Sequence, residues 1–572
     1  MAEQYDVAII GAGHNGLVAA NYLARAGCRV IVLEARYKVG GACVSEELIP
    51  GATFSSCAFV QGLFRDEIVQ DLELKKHGLE MFAPDVQGFA LFDDGSHLFL
   101  WKELDKTLRE LERYSKHDAE KFVEFGTRYR RFGEIVHPWL MRPPPRRSEV
   151  FRAFEEAGEE DLLDEFVLAS TNDLIEKYFE SPHIKGFLTF YGMVSVYGGP
   201  STPGLSYVYG HHAAGEFEGE LSRWAFVKGG MGGITQSLAR AAETHGVVIR
   251  TNAPVDRVLV RAGQAEGVIL ASGEEINAHS VVSNADPKRS LLKLVEPKYL
   301  DSNFRRAVEG IDTRGGMARV HLLIDELPHY RGFPDAKPGP QHRGHQMLGS
   351  SVENFEKAFE AQRNGEIPDD FMIEVITQSV TDPTLAPVGQ HTLTIGVQHT
   401  PFDLARGDWD RYREEWGDKV VEVLCRYAPN IKDHILGRAV ITPLDIEREY
   451  NITGGNIFHT AMTLPQLYSS RPLRALSDYR TPLPGYYLCG AGTHPGGGVM
   501  GAPGHNAAHI VLGDLTGQND ADTTNEPRPQ PHKSFIDRVM KTDLGRRIGY
   551  KVARSKTMRP VTARVSRRRT KK

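Results

Sequence analysis

At 572 residues the chain is long enough for two or three domains. With 41% hydrophobic and 25% charged residues and a small net charge of −6, its composition is that of an ordinary soluble protein and speaks against global disorder. No window approaches ~18 uninterrupted apolar residues, so no membrane-spanning helix is expected.

With the first strand beginning at Tyr5, no signal or transit peptide is expected. Tyr5–Glu34 (YDVAIIGAGHNGLVAANYLARAGCRVIVLE) reads as strand (Asp6–Ile10), glycine turn, helix (about Asn15–Ala26) and strand (Arg29–Leu33) ending on an acid. Gly11, Gly13 and Gly16 hold the G-x-G-x-x-G spacing between that strand and helix. Gly11 serves the tight turn, Gly13 the approach of a pyrophosphate, and Gly16 helix-on-strand packing. N–H groups at the helix start, aided by the helix dipole, then hold phosphate, while Glu34 accepts from ribose hydroxyls. Two residues on, Arg36 reads by itself as a solvated surface arginine in preference to a reader of a 2′-phosphate.

Gly40-Gly41 follows directly and lets backbone pass close to a cofactor. Cys28, Cys43, Cys57, Cys425 and Cys489 form no CxxC pair and no metal spacing. This predicts a reducing, cytoplasmic setting, no metal site and no dithiol exchange. Gly88–Trp101 alternates as a hairpin. Leu104–Arg131 and Glu149–Phe179 are helical in pattern, split by Pro143-Pro144-Pro145. The aromatic run Phe187–His212 reads either as core or as the wall of a tunnel for a long apolar ligand.

FVKGGMGGITQSLARAAETHG (Phe226–Gly246) is a glycine cluster leading into a helix. Strands are expected at Val247–Arg250, Val255–Val260, Glu266–Leu270, Glu274–Ala278 and Ser280–Ser283, with Val255 covering an adenine edge. From Leu291 to about Tyr450, Val320–Asp325, Phe371–Gln378 and His391–Gln398 alternate as strands, and Phe355–Asn364 and Trp409–Tyr427 as helices. Pro482–Leu515 adds a second glycine-rich strand-to-helix entry. Such an entry separates a flavin fold from a nicotinamide fold, because it points a helix N-terminus at the flavin ring. Cys489, on its buried strand, reads as packing and not as a covalent flavin anchor. Beyond the linker at Gly517–His532, Lys533–Lys572 holds 15 Lys and Arg against two Asp. This tail reads equally as a solvated extension or as a binder of an anionic surface (lipid headgroups, RNA or an acidic neighbouring subunit), and a basic amphipathic helix at Phe535–Val552 would favour the membrane surface among these. No specific nucleic-acid reader is expected.

Together the N-terminal fingerprint, the EAR…VGGA turn, the GGMGG step, VVSNAD and YLCGAGTHPGGGVMGAPG resemble the phytoene-desaturase-type flavoproteins of the amine-oxidase fold. Within them the chain looks most like the branch of the β-carotene ketolases and the pyridine nucleotide-disulfide oxidoreductase domain-containing proteins. The resemblance covers roughly residues 1–515. It implies an α/β (α+β) fold: a discontinuous FAD-binding unit (1–103, 226–290, 480–515), a helical insertion (104–225), a mixed-sheet substrate domain (291–479), and a tail (516–572). It implies FAD pyrophosphate at Gly11, Gly13 and Gly16, ribose at Glu34, and loop contacts at Arg36, Gly40, Gly41 and Ala42. It further implies an adenine-side strand at Val255 and flavin-ring contacts at Gly490, Gly492, Gly497, Val499 and Met500.

The function expected is a non-covalent FAD oxidoreductase passing hydride from an activated C–H of a long apolar, carotenoid- or lipid-like substrate to flavin N5, with oxygen or a quinone as acceptor. No catalytic base is identified; Tyr197, Tyr209, His211, His494 and His505 are candidates for substrate contact by residue type and neighbourhood. The rivals are a carotenoid ketolase, a flavin amine oxidase, and a prenyl-lipid escort protein of the same fold without flavin. The last degrades the glycine motifs, which are intact here.

Overall fold

The computed structural model describes residues 4–335 and 337–517; the basic tail lies outside the described residues. The N-terminal fingerprint folds as its pattern dictates. Strand Gln4–Ile10 leads through the glycine turn to helix His14–Arg25 and strand Val30–Leu33, all eight residues of VIVL and VAII being buried. Burial on both faces is what continuous apolar runs demand of a parallel sheet.

Five strands run parallel, in the order Val248–Arg250, Val30–Leu33, Gln4–Ile10, Glu275–Ser283, Tyr486–Leu488. The expected pair of strands at Glu274–Ala278 and Ser280–Ser283 is one nine-residue strand that changes neighbours half-way. Its first half pairs antiparallel with Gln264–Leu270, the inner arm of a hairpin with Val255–Arg261. Its second half pairs parallel with Tyr486–Leu488, so a strand from the C-terminal part of the chain completes the N-terminal sheet.

A second sheet runs in the order Ile435–Ile441, Met317–Ile324, His391–Gln398, Ile373–Ile376, His345–Leu348, Val86–Leu91, His97–Trp101. The hairpin expected at Gly88–Trp101 forms, but it joins this sheet and not the first, with Val86–Leu91 parallel to His345–Leu348. A grouping of residues 1–103 in one unit therefore cuts across the pairing. Hairpin alternation reveals a half-buried strand pair and says nothing of which sheet it extends.

Between residues 104 and 213 the chain is helical. Ser115 separates Leu104–Glu112 from Lys116–Val136 and caps the latter, its Oγ accepting from Asp118 N at 3.1 Å. The buried Asp118 carboxylate in turn accepts from Glu180 N and Ser181 N at 2.9 Å each, tying the next helical layer to the first. Phe187, Leu188, Phe190, Tyr207 and Tyr209 sit in the apolar core of this unit. None of the described helices is long and apolar enough to cross a membrane.

The interior carries many neutral histidines. Burial pushes His14, His212 and His321 down to about 3, and His211, His399, His459 and His494 to about 4. An unfolded chain takes up protons at these positions near 6.5, so stability is lost as pH falls below that value. Glu34, Asp66 and Asp286 are pushed upward by burial and oppose the trend, but they are outnumbered. The expected result is a thermal midpoint that drops steadily between neutrality and pH 5. A flat profile over that range would contradict the neutral-histidine interior.

Candidate functional site

The two sheets and the helical unit enclose one large cavity, about 1840 Å³ of empty space including its mouth. Its first end is the glycine turn. Gly11 takes φ +92°, which favours glycine. A Cβ at Gly16 would stand 2.3 Å from Gly11 O, and one at Gly13 would stand 2.6 Å from Asn284 Nδ2. Asn284, from the VVSNAD segment, thus lies across the turn and fixes its height, with its backbone N donating to Ile10 O at 2.9 Å. The second turn closes on the first: Gly40 N donates to Ala12 O at 2.9 Å, and Gly13 and Gly40 form a parallel bridge.

Glu34 is 6% exposed and doubly held, its Oε2 accepting from Ala12 N at 2.8 Å and its Oε1 from Arg36 N at 2.9 Å. Burial outweighs these bonds and raises its pKa. Arg36 is not a solvated arginine: Nη2 pairs with Glu46 Oε1 at 2.6 Å, its guanidinium lies 4.6 Å from the Tyr450 ring centroid, and Nη1 is buried without a partner. Sequence could not reveal this, because Glu46 and Tyr450 come from separate segments. Gly11, Gly13, Glu34, Arg36, Gly40, Gly41, Ala42 and Val255 all line the cavity.

From the C-terminal loop, Ala491, Gly498 and Val499 reach the wall. Gly490, Gly492 and Gly497 stand behind it; a Cβ there would strike Asn284 O, Pro287 Cδ and Phe458 Cδ1 at 2.4–2.6 Å. Met500 is buried, its carbonyl accepting from Arg65 N at 3.2 Å. Val499 holds φ +58°, a strained conformation for a β-branched residue that turns the loop toward the cavity. The GGMGG glycines serve packing instead: a Cβ at Gly230 or Gly232 would strike Ser45.

The five residues picked for substrate contact lie off the cavity wall. Tyr209 donates to Leu188 O inside the helical core, and Tyr197 stacks edge-on with Phe359 beneath Arg314. His211 Nε2 meets Gly497 O and His494 Nε2 meets Trp139 O, each at 2.9 Å, and His505 sits between Tyr22 and His509. The aromatic run is thus divided, with Phe187, Leu188 and Tyr209 in the core and Phe190, Val194 and His212 on the cavity wall. What lines the far end is Phe59, Val60, Leu63, Phe190, Val194, His212 and Trp224, over a floor of Arg319, His345, Glu374 and Gln398 from four strands of the second sheet.

A deep double-glycine cradle beside a buried ribose-type acid fits an FAD dinucleotide, with further cavity space beyond it. Residues 16–509 match the family of flavin containing amine oxidoreductases. The chain belongs to that family. As a flavin amine oxidoreductase it is an FAD-dependent oxidoreductase. It is 37% identical over 547 residues to pyridine nucleotide-disulfide oxidoreductase domain-containing protein 2 of Rattus norvegicus, covering 90% of this chain and 94% of that one. A limonene dehydrogenase component from Castellaniella defragrans is 27% identical (90% and 95% covered) and a 4,4'-diapophytoene desaturase of Methylomonas sp 24% (87% and 93%). Among solved structures, a redesigned putrescine oxidase superposes with a TM-score of 0.57 at 18% identity, covering 90% of this flavin amine oxidoreductase and 99% of its own chain, which shows the shared fold.

Proposed function

We propose that this flavoprotein removes two hydrogens from an elongated, mostly apolar molecule, carotenoid- or lipid-like, with FAD held non-covalently. The observation that carries this reading is the chamber beyond the glycine turns, walled by Phe59, Leu63, Phe190, Val194 and Trp224 and closed below by a sheet bearing a histidine–carboxylate pair. Bound flavin supplies the two-electron chemistry by accepting hydride from a substrate C–H. The chain's residues orient the substrate, keep water out and take the remaining proton, so that one C–H pair becomes a double bond.

His345 is the residue placed to take it. Its Nδ1 meets Glu374 Oε1 at 2.7 Å, its ring stands edge-on to Trp224 at 4.9 Å, and Nε2 is left without a partner at the cavity floor. A carboxylate that fixes one ring nitrogen presents the other as a base. His345→Asn is expected to lower turnover by about 10²–10⁴-fold while flavin content stays at the wild-type level. Undiminished turnover would remove His345 from this role.

Non-covalent binding is supported by the cysteines near the cofactor: burial pushes the Cys57 thiol up to about 12 and Cys43 higher still, so neither is a nucleophile, and Cys489 is buried off the wall. The names of the limonene dehydrogenase and diapophytoene desaturase relatives favour an isoprenoid-like substrate. An amine substrate is disfavoured by Arg319, a buried cation at the chamber floor. A ketolase would share the substrate and differ in the oxygen step. Reoxidation by oxygen or a quinone belongs to the same proposal, as does membrane contact through the tail.

The deciding measurement is the visible spectrum of the purified protein before and after acid precipitation. Flavin bands released to the supernatant are expected. A colourless protein that FAD cannot reconstitute would overturn the enzyme reading in favour of a lipid carrier.

A further inference from the structure

The chamber is not apolar throughout. Arg319 and Gln398 stand on neighbouring antiparallel strands, 3% and 4% exposed, and both line the cavity. Arg319 is held on three sides: Nε donates to Cys57 O at 3.3 Å, Nη2 meets Met317 Sδ at 3.5 Å, and the guanidinium lies 4.0 Å from the Phe59 ring centroid. Its Nη1 is buried with no partner. The amide of Gln398 is fixed by Ser195 N, which donates to Oε1 at 2.8 Å and leaves Nε2 as a second donor without an acceptor.

The sheet makes room for this arrangement. Arg319 pairs across the ladder with Gly396, which pairs in turn with Glu374. A side chain at Gly396 would come within 2.0 Å of Arg319 Nη1. Glu374 sits on the far side of that gap: its Oε1 is taken by His345, while its Oε2 would stand 3.1 Å from the same Cβ, so its charge attracts the guanidinium across the gap. Among the described residues Arg319 has no ion pair. Burial lowers the guanidinium and the nearby Glu374 charge opposes that, leaving it at about 10, so it is a cation at neutral pH. Glu374 offsets part of the charge without hydrogen-bonding to it, and two buried donors facing one cavity, Arg319 Nη1 and Gln398 Nε2, still cost free energy unless an acceptor arrives.

We infer that Arg319 and Gln398 anchor a carboxylate carried by the substrate, which is therefore an amphipathic acid and not a pure hydrocarbon. The inference rests on the reading of this chamber as the substrate site. Two donors from adjacent strands suit the two oxygens of a carboxylate, whose strongest partner is a guanidinium. The apolar wall of Phe59, Val60, Leu63 and Phe190 then takes the chain, and the anchored head sets which carbon lies over the cofactor.

Calorimetric titration of the holoprotein with dodecanoate, dodecanol and dodecane tests this, its flavin spectrum being recorded first. Dodecanoate is expected to bind at least about tenfold more tightly than the alcohol, a difference of about 1.4 kcal/mol. Arg319→Met should erase the difference, and Arg319→Lys should restore part of it. Should Arg319→Met fail to fold, Gln398→Leu is expected to shrink the preference with the core intact. Equal binding of acid and alcohol by the wild type, or no saturable binding of the acid, would overturn the anchor. A colourless protein that still prefers the acid would overturn the flavin reading and leave the anchor standing.

Discussion

Gly504→Ala is expected to strip the protein of its flavin, although Gly504 does not line the cavity. The C-terminal helix Ala502–Thr516 crosses the first helix so closely that a Cβ at position 504 would stand 2.1 Å from Asn15 O and 2.8 Å from Asn15 C. Both atoms are backbone, so relief requires one helix to move. The helix that would move carries His14 and Asn15 on the cavity wall and the N–H groups that face the pyrophosphate position. Overpacking of this kind costs about 1–3 kcal/mol, which corresponds to roughly 5- to 150-fold in flavin affinity if it falls on the holo state. Gly16→Ala should behave alike, its Cβ meeting Gly11 O at 2.3 Å. Gly310→Ala is the control, since its nearest neighbour would stand at 3.5 Å. Flavin content per polypeptide is the readout, and wild-type flavin in Gly504→Ala would contradict the close crossing.

Arg471→Met is the second large effect. Arg471 is fully buried and has no carboxylate partner among the described residues; its guanidinium donates to the carbonyls of Phe458, Thr460, Ala461, Gln466, Ala491 and Thr493. Those carbonyls belong to two loops, and Phe458 and Ala491 line the cavity. The arginine therefore clamps the segment at 458–466 to the C-terminal glycine loop. Removing it leaves buried acceptors unmatched, at about 1–3 kcal/mol each before relaxation. We expect a loss of at least about 3 kcal/mol, read as a much shorter half-life at elevated temperature, which suits a protein of this size better than an equilibrium midpoint. Arg471→Lys should not rescue it, because three donors on a point charge cannot reach six acceptors spread around a planar fork. Survival of Arg471→Met at wild-type half-life would show the clamp to be dispensable.

The difference between Gly16 and Gly504 marks what the sequence made legible. Gly11, Gly13, Gly16 and Glu34 lie within one strand–turn–helix–strand unit, so spacing alone discloses their roles. The constraint on Gly504 arises from a helix crossing between distant segments, which no local pattern announces. The same holds for the chamber floor. Arg319, His345, Glu374 and Gln398 occupy four strands whose order in the sheet, not in the chain, brings them together. Alternation predicted His391–Gln398 to the residue but could not say that Gln398 faces a cavity. In the aromatic stretch, composition could not separate Phe190, which reaches the wall, from Tyr209, which is locked in the helical core. Arg471, the most connected side chain of the site, sits in a loop with no motif around it.

The strand that completes the N-terminal sheet, Tyr486–Leu488, and the helix that braces its first helix both lie more than four hundred residues beyond the fingerprint. A ribosome that has finished the fingerprint must synthesise more than four hundred further residues before the fingerprint can close. Until then Val281–Ser283 presents an open edge and the first helix an uncovered face, both prone to wrong partners. Contacts of such long sequence separation also form slowly. A fragment ending before residue 486 is thus expected to leave that sheet edge and that helix face uncovered and to be colourless.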